Sequence, residues 1–257
     1  MVSHRKAGGW SMPEIASFSG RWRDGEPAMS PDGSFLIFAS NRPTAEGGAT
    51  LDGTWGGHVY KGSGGNLWKV DRRRSGWGTP VRLPPTVNRG TAIFAPAIVN
   101  DHSLYFMEAT MTTKFHLYRA QYRNGTYEEP KQLSFSDGTW SDVDPVVAPD
   151  ESFIVFPSTR TPVVGARHEL FIAFQTAGCW GEPIHLALTD SIQSSDETEA
   201  RLGSDHHTLY FSSDRTTPIR YPRSNDAAKR DVQRIHAWDN GLINIWYVDL
   251  SPWLKGR

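Results

Sequence analysis

The sequence predicts an all-β fold, a β-propeller with four blades of four antiparallel strands. Three observations lead to this prediction: a repeated hairpin pattern, matching numbers of segments for each strand of a blade, and a composition with 24 glycines, 17 prolines and 10 tryptophans. Short apolar segments separated by turn residues are typical of all-β proteins. A repeat that contains several such segments is typical of propellers.

The inner two strands of each blade are predicted by an alignment without gaps. The aligned segments are Glu26–Arg42, Phe94–Thr110, Asp144–Arg160 and Glu199–Arg215. In each of them an extended segment reaches a turn residue, and a strongly apolar segment follows. The alignment therefore predicts one inner hairpin for each blade.

The third and fourth strands follow at regular distances. The third strands are predicted at NLWKVD, HLYRAQ, ELFIAF and NIWYVD, and the outer strands at SGWGTP, GTYEEP and GCWGEP. Near the N-terminus, GGWSMPEIASF has the same pattern as the outer strands. We therefore expect residues 8–18 to form the outer strand of blade 4, which closes the propeller and leaves no sheet edge unpaired. The alternative is that the chain is part of a larger propeller.

The predicted domain organisation is a single propeller over residues 1–257 with two long loop insertions. The predicted ranges are 26–85 for blade 1, 92–135 for blade 2, 142–189 for blade 3, 197–250 for blade 4, and 43–65 and 216–243 for the loops.

The repeat between Glu26 and Leu83 contains an acid-Pro start, Ser-Pro-Asp-Gly, an apolar strand that leads to an arginine, Leu-Trp-x-Val-Asp and Gly-Trp-x-x-Pro. This pattern resembles the TolB-like β-propeller repeat, and the likeness covers almost the whole chain. The resemblance implies the fold. It leaves the function open, because propellers with such repeats include periplasmic binding and scaffolding proteins, peptidase-associated propellers and polysaccharide lyases.

Charge and composition narrow the classes of partner. The 27 basic and 28 acidic residues nearly balance, which argues against nucleic acid and against a membrane surface as partners. The apolar runs are too short to span a bilayer, and the N-terminal residues lack the apolar stretch of a secretory signal. The chain has one cysteine, Cys179, which we interpret as an inert thiol. A cytoplasmic location is therefore expected.

Charged residues recur at both ends of the inner hairpins. Acids begin three inner strands: Glu26, Asp144 and Glu199. Arginines follow the neighbouring strands: Arg42, Arg160 and Arg215. In blade 2 both positions change together, to Phe94 and Thr110, which indicates that each acid pairs with the arginine of its own blade. The alternative is that the three carboxylates converge on one mouth of the channel, where they bind a cation or act as catalytic acid and base.

The two long loops are expected at the same mouth as the acids. The first contains Trp55, His58 and Tyr60, which would suit a lid that contacts a ligand. The second is expected to hold a short helix around residues 227–238, and its cationic and aromatic residues would contact a carboxylate or phosphate: Arg220, Tyr221, Arg223 and His236. The alternatives are an unstructured insertion and a solvated helix face. Phe94 would present an apolar wall to the ligand.

No cofactor is predicted, but a divalent metal is possible. Its ligands would come from His58, His168 and His236 together with Glu26, Asp144 and Glu199. The favoured function is binding of a small polar or anionic molecule at the lidded mouth. One alternative is a lyase, hydrolase or isomerase of a carbohydrate-like or acidic substrate, with a mouth carboxylate as general base. The second alternative is a scaffold for protein partners.

Overall fold

The computed structural model of the protein describes residues 1–109, 111–162, 167–188, 196–215, 221–234 and 242–255. The chain divides into an N-terminal unit, Met1–Leu133, and a C-terminal unit, Ser134–Arg257. Each unit contains two blades, which gives the four antiparallel sheets of a four-bladed β-propeller. The predicted fold class is confirmed. No helix among the described residues is long and apolar enough to cross a bilayer.

The N-terminal segment forms a small hairpin. Strand β1 (Arg5–Lys6) pairs with β2 (Gly9–Trp10), and Val2 forms a bridge with Glu14. The segment therefore pairs with its own residues, and its assignment as the outer strand of blade 4 stays a prediction.

Blade 1 contains the long first loop. Its strands are β3 (Asp24–Met29), β4 (Phe35–Ser40), β7 (Asn66–Arg73), β8 (Gly76–Trp77) and β9 (Val81–Arg82), and the loop holds the hairpin of β5 (Gly53–Trp55) and β6 (His58–Tyr60). The sheet order is β3-β4-β7, and both β8 and β9 pair with β7. The first loop is thus an ordered hairpin.

Blade 2 is a four-stranded sheet with an additional outer hairpin. The sheet consists of β10 (Ile93–Ile98), β11 (Leu104–Glu108), β12 (His116–Ala120) and β15 (Lys131–Gln132), and the hairpin of β13 (Tyr122–Arg123) and β14 (Thr126–Tyr127). Apolar residues of both blades share one core, in which Ile37, Leu67, Ile93 and Phe106 are fully buried.

Blades 3 and 4 form the C-terminal unit. The strands are β16 (Val146–Val147), β17 (Phe153–Ser158), β18 (Glu169–Thr176), β19 (Cys179–Trp180), β20 (Ile184–His185), β21 (Glu197–Leu202), β22 (Thr208–Ser213) and β23 (Asn244–Asp249), and the helices are α1 (Asn225–Arg234) and α2 (Ser251–Leu254). Their shared core includes Val155, Ile172 and Leu209. In blade 4 the described strands form a sheet of three, in the order β21-β22-β23.

An aspartate organises each inner hairpin turn. The four residues are Asp32, Asp101, Asp150 and Asp205, and each accepts a backbone N–H from two residues further along the chain. Hydrogen bonds from the Thr208 side chain and backbone lower the pKa of Asp205 to about 2. A short carboxylate side chain can stabilise a tight turn in this way, which explains the recurrence of the residue.

Blades 1 and 2 approach each other closely at Gly65. The Gly65 N–H donates to the Thr91 carbonyl at 2.8 Å, and the Gly65 carbonyl accepts from the Ile93 N–H at 3.2 Å. A Cβ at this position would lie 2.1 Å from the Phe94 ring and 2.7 Å from the Ile93 carbonyl oxygen. The contact between the blades therefore requires glycine.

We expect Gly65→Ala to lower the free energy of unfolding by about 1–3 kcal/mol, because the methyl group must displace both the ring and the backbone. Gly25→Ala is the matched control, since a Cβ there meets nothing within 4 Å. Urea denaturation of both variants measures the effect. Equal unfolding midpoints for Gly65→Ala and the wild type would contradict it.

Candidate functional site

The repeat arginines pair with acids two residues before the ones expected from the sequence. The pairs are Asp24–Arg42, Asp142–Arg160 and Glu197–Arg215. The prediction that Glu26, Asp144 and Glu199 pair with these arginines is therefore wrong. The physical reason is the strand register, because the acid opposite the end of the second strand is the earlier one, as Asp24 opposite Ser40 demonstrates.

In blade 3 both partners of the ion pair form further hydrogen bonds. The Asp142 carboxylate accepts from Arg160 Nη2 at 2.8 Å, from Ser158 Oγ at 2.6 Å and from Ser136 Oγ at 2.7 Å. Arg160 also donates to the Phe135 carbonyl at 3.2 Å. We call this arrangement of acid, arginine, serine and carbonyl the brace. A buried charge pair is tolerated when hydrogen bonds satisfy both partners in this way.

Blade 1 repeats the brace with equivalent partners. Arg42 donates from Nε and from Nη2 to the two Asp24 oxygens, each at 3.0 Å, and from Nη2 to the Phe18 carbonyl at 2.6 Å. Ser40 Oγ donates to Asp24 at 2.6 Å. The guanidinium groups of the three repeat arginines form ion pairs with buried carboxylates. Ligand binding by Arg42, Arg160 and Arg215 therefore stays a prediction.

Blade 2 builds its ion pair from other positions. Glu108, which is buried at the end of β11, pairs with Arg89 from the segment before β10. The backbone also corrects the alignment of this blade, because Ala95, and not Phe94, has the left-handed conformation found at Glu26. The inner strand is thus aligned one residue later than the sequence indicated. Thr110 lies outside the described residues.

The three predicted mouth acids share an unusual backbone conformation. The φ angles are 51° at Glu26, 45° at Asp144 and 56° at Glu199, and Ala95 occupies the same position in blade 2 with 48°. Residues other than glycine rarely adopt positive φ, and they do so where the surrounding structure imposes it. In blades 1, 2 and 4 a register shift of the inner hairpin accompanies this residue.

Two of these acids connect neighbouring blades. Within the N-terminal unit, Glu26 Oε2 accepts the Ala95 N–H at 2.6 Å. Within the C-terminal unit, Asp144 Oδ2 accepts the Glu199 N–H at 2.9 Å. In both units an acid in one blade therefore satisfies the backbone N–H of the left-handed residue in the next blade. Such a hydrogen bond to an ionised group is stronger than one between neutral groups.

Glu199 differs from the other two acids in its electrostatics. Desolvation by the surrounding protein, and then the charge of Asp144, raise the pKa of Glu199, while Arg201 opposes the change. The side chain is nevertheless exposed, whereas Asp144 is buried. Within the described part of the C-terminal unit, no group donates a hydrogen bond to the Glu199 carboxylate. Glu199 is thus a reachable carboxyl group that holds its proton more tightly than usual.

The first loop places its aromatic residues against blade 2. Trp55 stacks on Tyr60 with ring centroids 4.0 Å apart, and it meets Phe94 edge to face at 6.4 Å. Phe94 contacts Phe115 at 6.1 Å. His58 is exposed next to Tyr60. Phe94 therefore anchors the loop, and its role as an apolar wall for a ligand stays a prediction.

The second loop is described only in part. Arg220 and His236 lie outside the described residues. The predicted helix begins at Asn225, and its described part ends at Arg234. Arg223 donates to Asp231 at 2.6 Å and lies 5.1 Å from the Tyr221 ring. Arg223 thus has a carboxylate partner from the same loop, so the predicted recognition of an anion here stays a prediction.

His168 lies beside an acid. Its Nδ1 is 3.4 Å from Asp196 Oδ1, and its Nε2 is buried and has no hydrogen-bond partner among the residues that the structure describes. Among the described residues, however, no group of three or more His, Cys, Asp or Glu side chains could hold a metal ion. The metal set of His58, His168 and His236 with Glu26, Asp144 and Glu199 stays a prediction, and His236 lies outside the described residues.

The brace acids are the residues that the sequence analysis missed. Asp24, Asp142 and Glu197 stand at one repeat position, two residues before Glu26, Asp144 and Glu199. This recurrence was a usable signal, but sequence alone does not reveal which acid the strand register places opposite each arginine. Cytoplasmic location, cofactor use and the kind of partner also stay predictions.

Comparison with known proteins gives similarities of fold. No protein-family model matches the chain, and no curated protein matches it. TolB from Acinetobacter baumannii is 15% identical with a TM-score of 0.44, and the match covers 74% of this chain and 40% of that one. A putative TolB from Agrobacterium tumefaciens is 15% identical with a TM-score of 0.47, over 90% of this chain and 83% of that one.

A sialidase of Trypanosoma rangeli in complex with the inhibitor DANA is also similar, with 13% identity and a TM-score of 0.46 over 95% of this chain and 40% of that one. The matched part of the chain thus covers less than half of the Acinetobacter TolB and of the sialidase. The solved structures with a similar fold include TolB propellers, and the function has to be inferred from the residues.

Removal of one partner of the brace is expected to destabilise the protein strongly. Asp142→Ala leaves Arg160 as a buried charge without its acid, so we expect a loss of about 3–5 kcal/mol in the free energy of unfolding. Asp52→Ala is the control, because it removes an ion pair with the exposed Lys61 and one hydrogen bond from the Gly62 N–H, and it should cost much less. Chemical denaturation distinguishes the two, and equal losses would show that the brace contributes no more than a surface pair.

The raised pKa of Glu199 predicts how stability depends on pH. As pH rises above 4.5, the ordinary value, the unfolded chain ionises at this residue before the folded protein does, so the wild type loses stability. Glu199→Gln does not ionise and should gain stability relative to the wild type as pH rises through the raised pKa. The expected gain is below about 1 kcal/mol, because water screens this exposed group. A pH-independent difference in unfolding free energy would refute the assignment.

Proposed function

We propose that the protein binds a small polar molecule through the Glu199 carboxyl group. The observation that carries the proposal is the pair of carboxyl groups that neighbouring blades of the C-terminal unit bring together. Asp144 is held by the Glu199 N–H at 2.9 Å, while the Glu199 side chain is exposed and its pKa is raised. The oxygens of an exposed carboxyl group can accept hydrogen bonds from the hydroxyl groups of a ligand.

The conformation of the site also supports binding. Glu199 has a left-handed backbone, which costs free energy and persists only where the surrounding structure holds it. The Asp144 hydrogen bond fixes this backbone, so the carboxyl group starts from a restricted position. A preorganised group loses less conformational entropy when a ligand binds.

The charged groups of the C-terminal unit determine which ligand charge the site favours. Arg223 is paired with Asp231, and Arg201 donates from Nη1 to the Ala200 carbonyl at 2.6 Å. The adjacent carboxyl groups of Glu199 and Asp144 would repel a strongly anionic ligand, so a neutral polar ligand, of which a carbohydrate is the example, fits the site better. Binding of an anionic ligand would depend on a contact with Arg220.

Acid–base catalysis is the second candidate. The observation in its favour is the same raised pKa, because a general base or acid works best when its pKa approaches the working pH. Glu199 would exchange the proton, and burial together with the charge of the neighbouring Asp144 raises the pKa of this carboxyl group.

A thermal-shift titration tests the proposal with D-glucose, D-galactose and the corresponding uronic acids. We expect a sugar to raise the melting temperature of the wild type by mass action. The Glu199→Gln variant loses the carboxyl contact, so it should bind that sugar at least about tenfold more weakly than the wild type does. Glu182→Gln removes an exposed carboxylate of the same unit and is the matched control, which should bind like the wild type.

Two outcomes would overturn the proposal. One is equal sugar binding by the wild type, Glu199→Gln and Glu182→Gln. The other is no shift with any of the four sugars in a protein that unfolds cooperatively, which would favour a scaffold for protein partners. Chromatography of the sugars after incubation with the wild type then distinguishes catalysis from binding alone, because only catalysis forms a new compound.

A further inference from the structure

The N-terminal unit contains a cleft that no predicted site residue lines. The cleft has a volume of ≈ 580 Å³. It lies at the hairpin-turn end of blades 1 and 2, where Ser34 follows the turn of one inner hairpin and His102 belongs to the turn of the other. Clefts of about 300–1,000 Å³ hold small molecules in other proteins. Its size alone therefore permits a ligand, and its lining decides which kind.

The lining carries an excess of positive charge. Lys69, Arg72 and Arg82 line the cleft together with a single carboxylate, Asp71. Asp71 is paired with Lys69 at 2.8 Å, and the Lys69 ammonium also lies 4.6 Å from the centre of the Phe35 ring. Neither Arg72 nor Arg82 forms an ion pair with a carboxylate among the residues that the structure describes. Two guanidinium groups therefore lack a counter-ion in the described structure.

Arg82 is the more buried of these two cations. Its Nε donates to Asn66 Oδ1 at 2.9 Å, and its Nη2 donates to the Asn88 carbonyl at 3.5 Å. Both acceptors are neutral, and desolvation by burial lowers the pKa of Arg82. Burial of a cation without an opposite charge costs free energy. An anion in the cleft would offset part of this cost.

Aromatic rings form part of the remaining lining, together with the apolar residues Val81, Leu83 and Pro84. Phe35 and His102 meet edge to face at 5.1 Å, and His102 lies 5.8 Å from Tyr122. Tyr122 in turn meets Tyr127 at 5.1 Å. His102 Nε2 lies 3.6 Å from Asp32, outside the lining. Aromatic walls next to cations favour a ligand with a flat ring beside its charge, because the ring gains packing contacts and arginine forms charge-assisted hydrogen bonds.

We propose that this cleft binds a small molecule in which an anionic group, a carboxylate or a phosphate ester, is attached to a flat ring. Arg72 contacts the anion, and the aromatic walls contact the ring. The cleft is a second binding site on the molecule. It lies in the N-terminal unit and shares no residue with the carboxyl pair of Asp144 and Glu199.

Isothermal titration calorimetry with phenyl phosphate and benzoate tests the proposal, and benzyl alcohol serves as an uncharged probe. We expect at least one of the two anions to bind the wild-type protein and benzyl alcohol to bind at least tenfold more weakly. The ratio of the two anion affinities distinguishes a phosphate site from a carboxylate site. Inorganic phosphate should bind more weakly than phenyl phosphate, because it lacks the ring.

Arg72→Glu should weaken binding of the anion at least tenfold, because it replaces a charge-assisted contact with a repulsive one. Arg74→Glu changes the net charge equally at an exposed position outside the lining, so it should change the affinity less than threefold. Circular dichroism of both variants establishes that they are folded. Glu199→Gln should bind both anions like the wild type, which separates this site from the sugar site.

Three results would overturn the proposal. The first is that folded Arg72→Glu binds the anion as tightly as the wild type does. The second is that Arg72→Glu and Arg74→Glu weaken anion binding equally. The third is that neither phenyl phosphate nor benzoate binds the wild type at millimolar concentration.

Discussion

The buried pair of an acid and an arginine is the interaction on which each blade depends. In blades 1 and 4 the acid begins the inner strand, and in blade 3 Asp142 precedes that strand and bridges to Ser158. In all three blades the arginine follows the second strand, so one ion pair fixes the open end of the inner hairpin. Blade 2 reaches the same result with Glu108 and Arg89. In blades 1 and 3 the arginine also holds the carbonyl of Phe18 or Phe135, which fixes the segment that enters the blade. A charge pair enclosed in this way requires all its partners, and it therefore enforces one strand register.

The register in turn places a strained residue two positions later. The Asp24 pair leads to Glu26, and the Glu197 pair leads to Glu199, each with a left-handed backbone. The N–H at this position then needs an acceptor, and the acid of the preceding blade supplies it within each unit. Glu26 and Asp144 thus serve the packing of blades. Glu199 combines the same backbone geometry with an exposed carboxyl group of raised pKa, which is why the proposed function centres on it.

The sequence was sufficient to predict the fold class and the third strands, because repeated apolar patterns report directly on strands. It was not sufficient for the pairing of charges. Glu26 and Asp24 are both acids near the end of one strand, and only the register decides which of them meets Arg42. The same limit explains blade 2, where an alignment on apolar residues placed Phe94 one position away from the bulge that Ala95 occupies. The cleft of Lys69, Arg72 and Arg82 was also missed, since its residues come from strands and loops that converge only in three dimensions.

The pKa of the Glu199 carboxyl group, measured by carbon-13 NMR titration in the wild type and in Asp144→Asn, tests the central claim most directly. The account predicts a value above 4.5 in the wild type, and a lower value in Asp144→Asn because the neighbouring negative charge has been removed. The amide oxygen of the new side chain can still accept the Glu199 N–H, so the backbone should stay in place. A wild-type pKa at or below 4.5, with no change in the variant, would contradict the account, because Glu199 would then be an ordinary surface carboxylate.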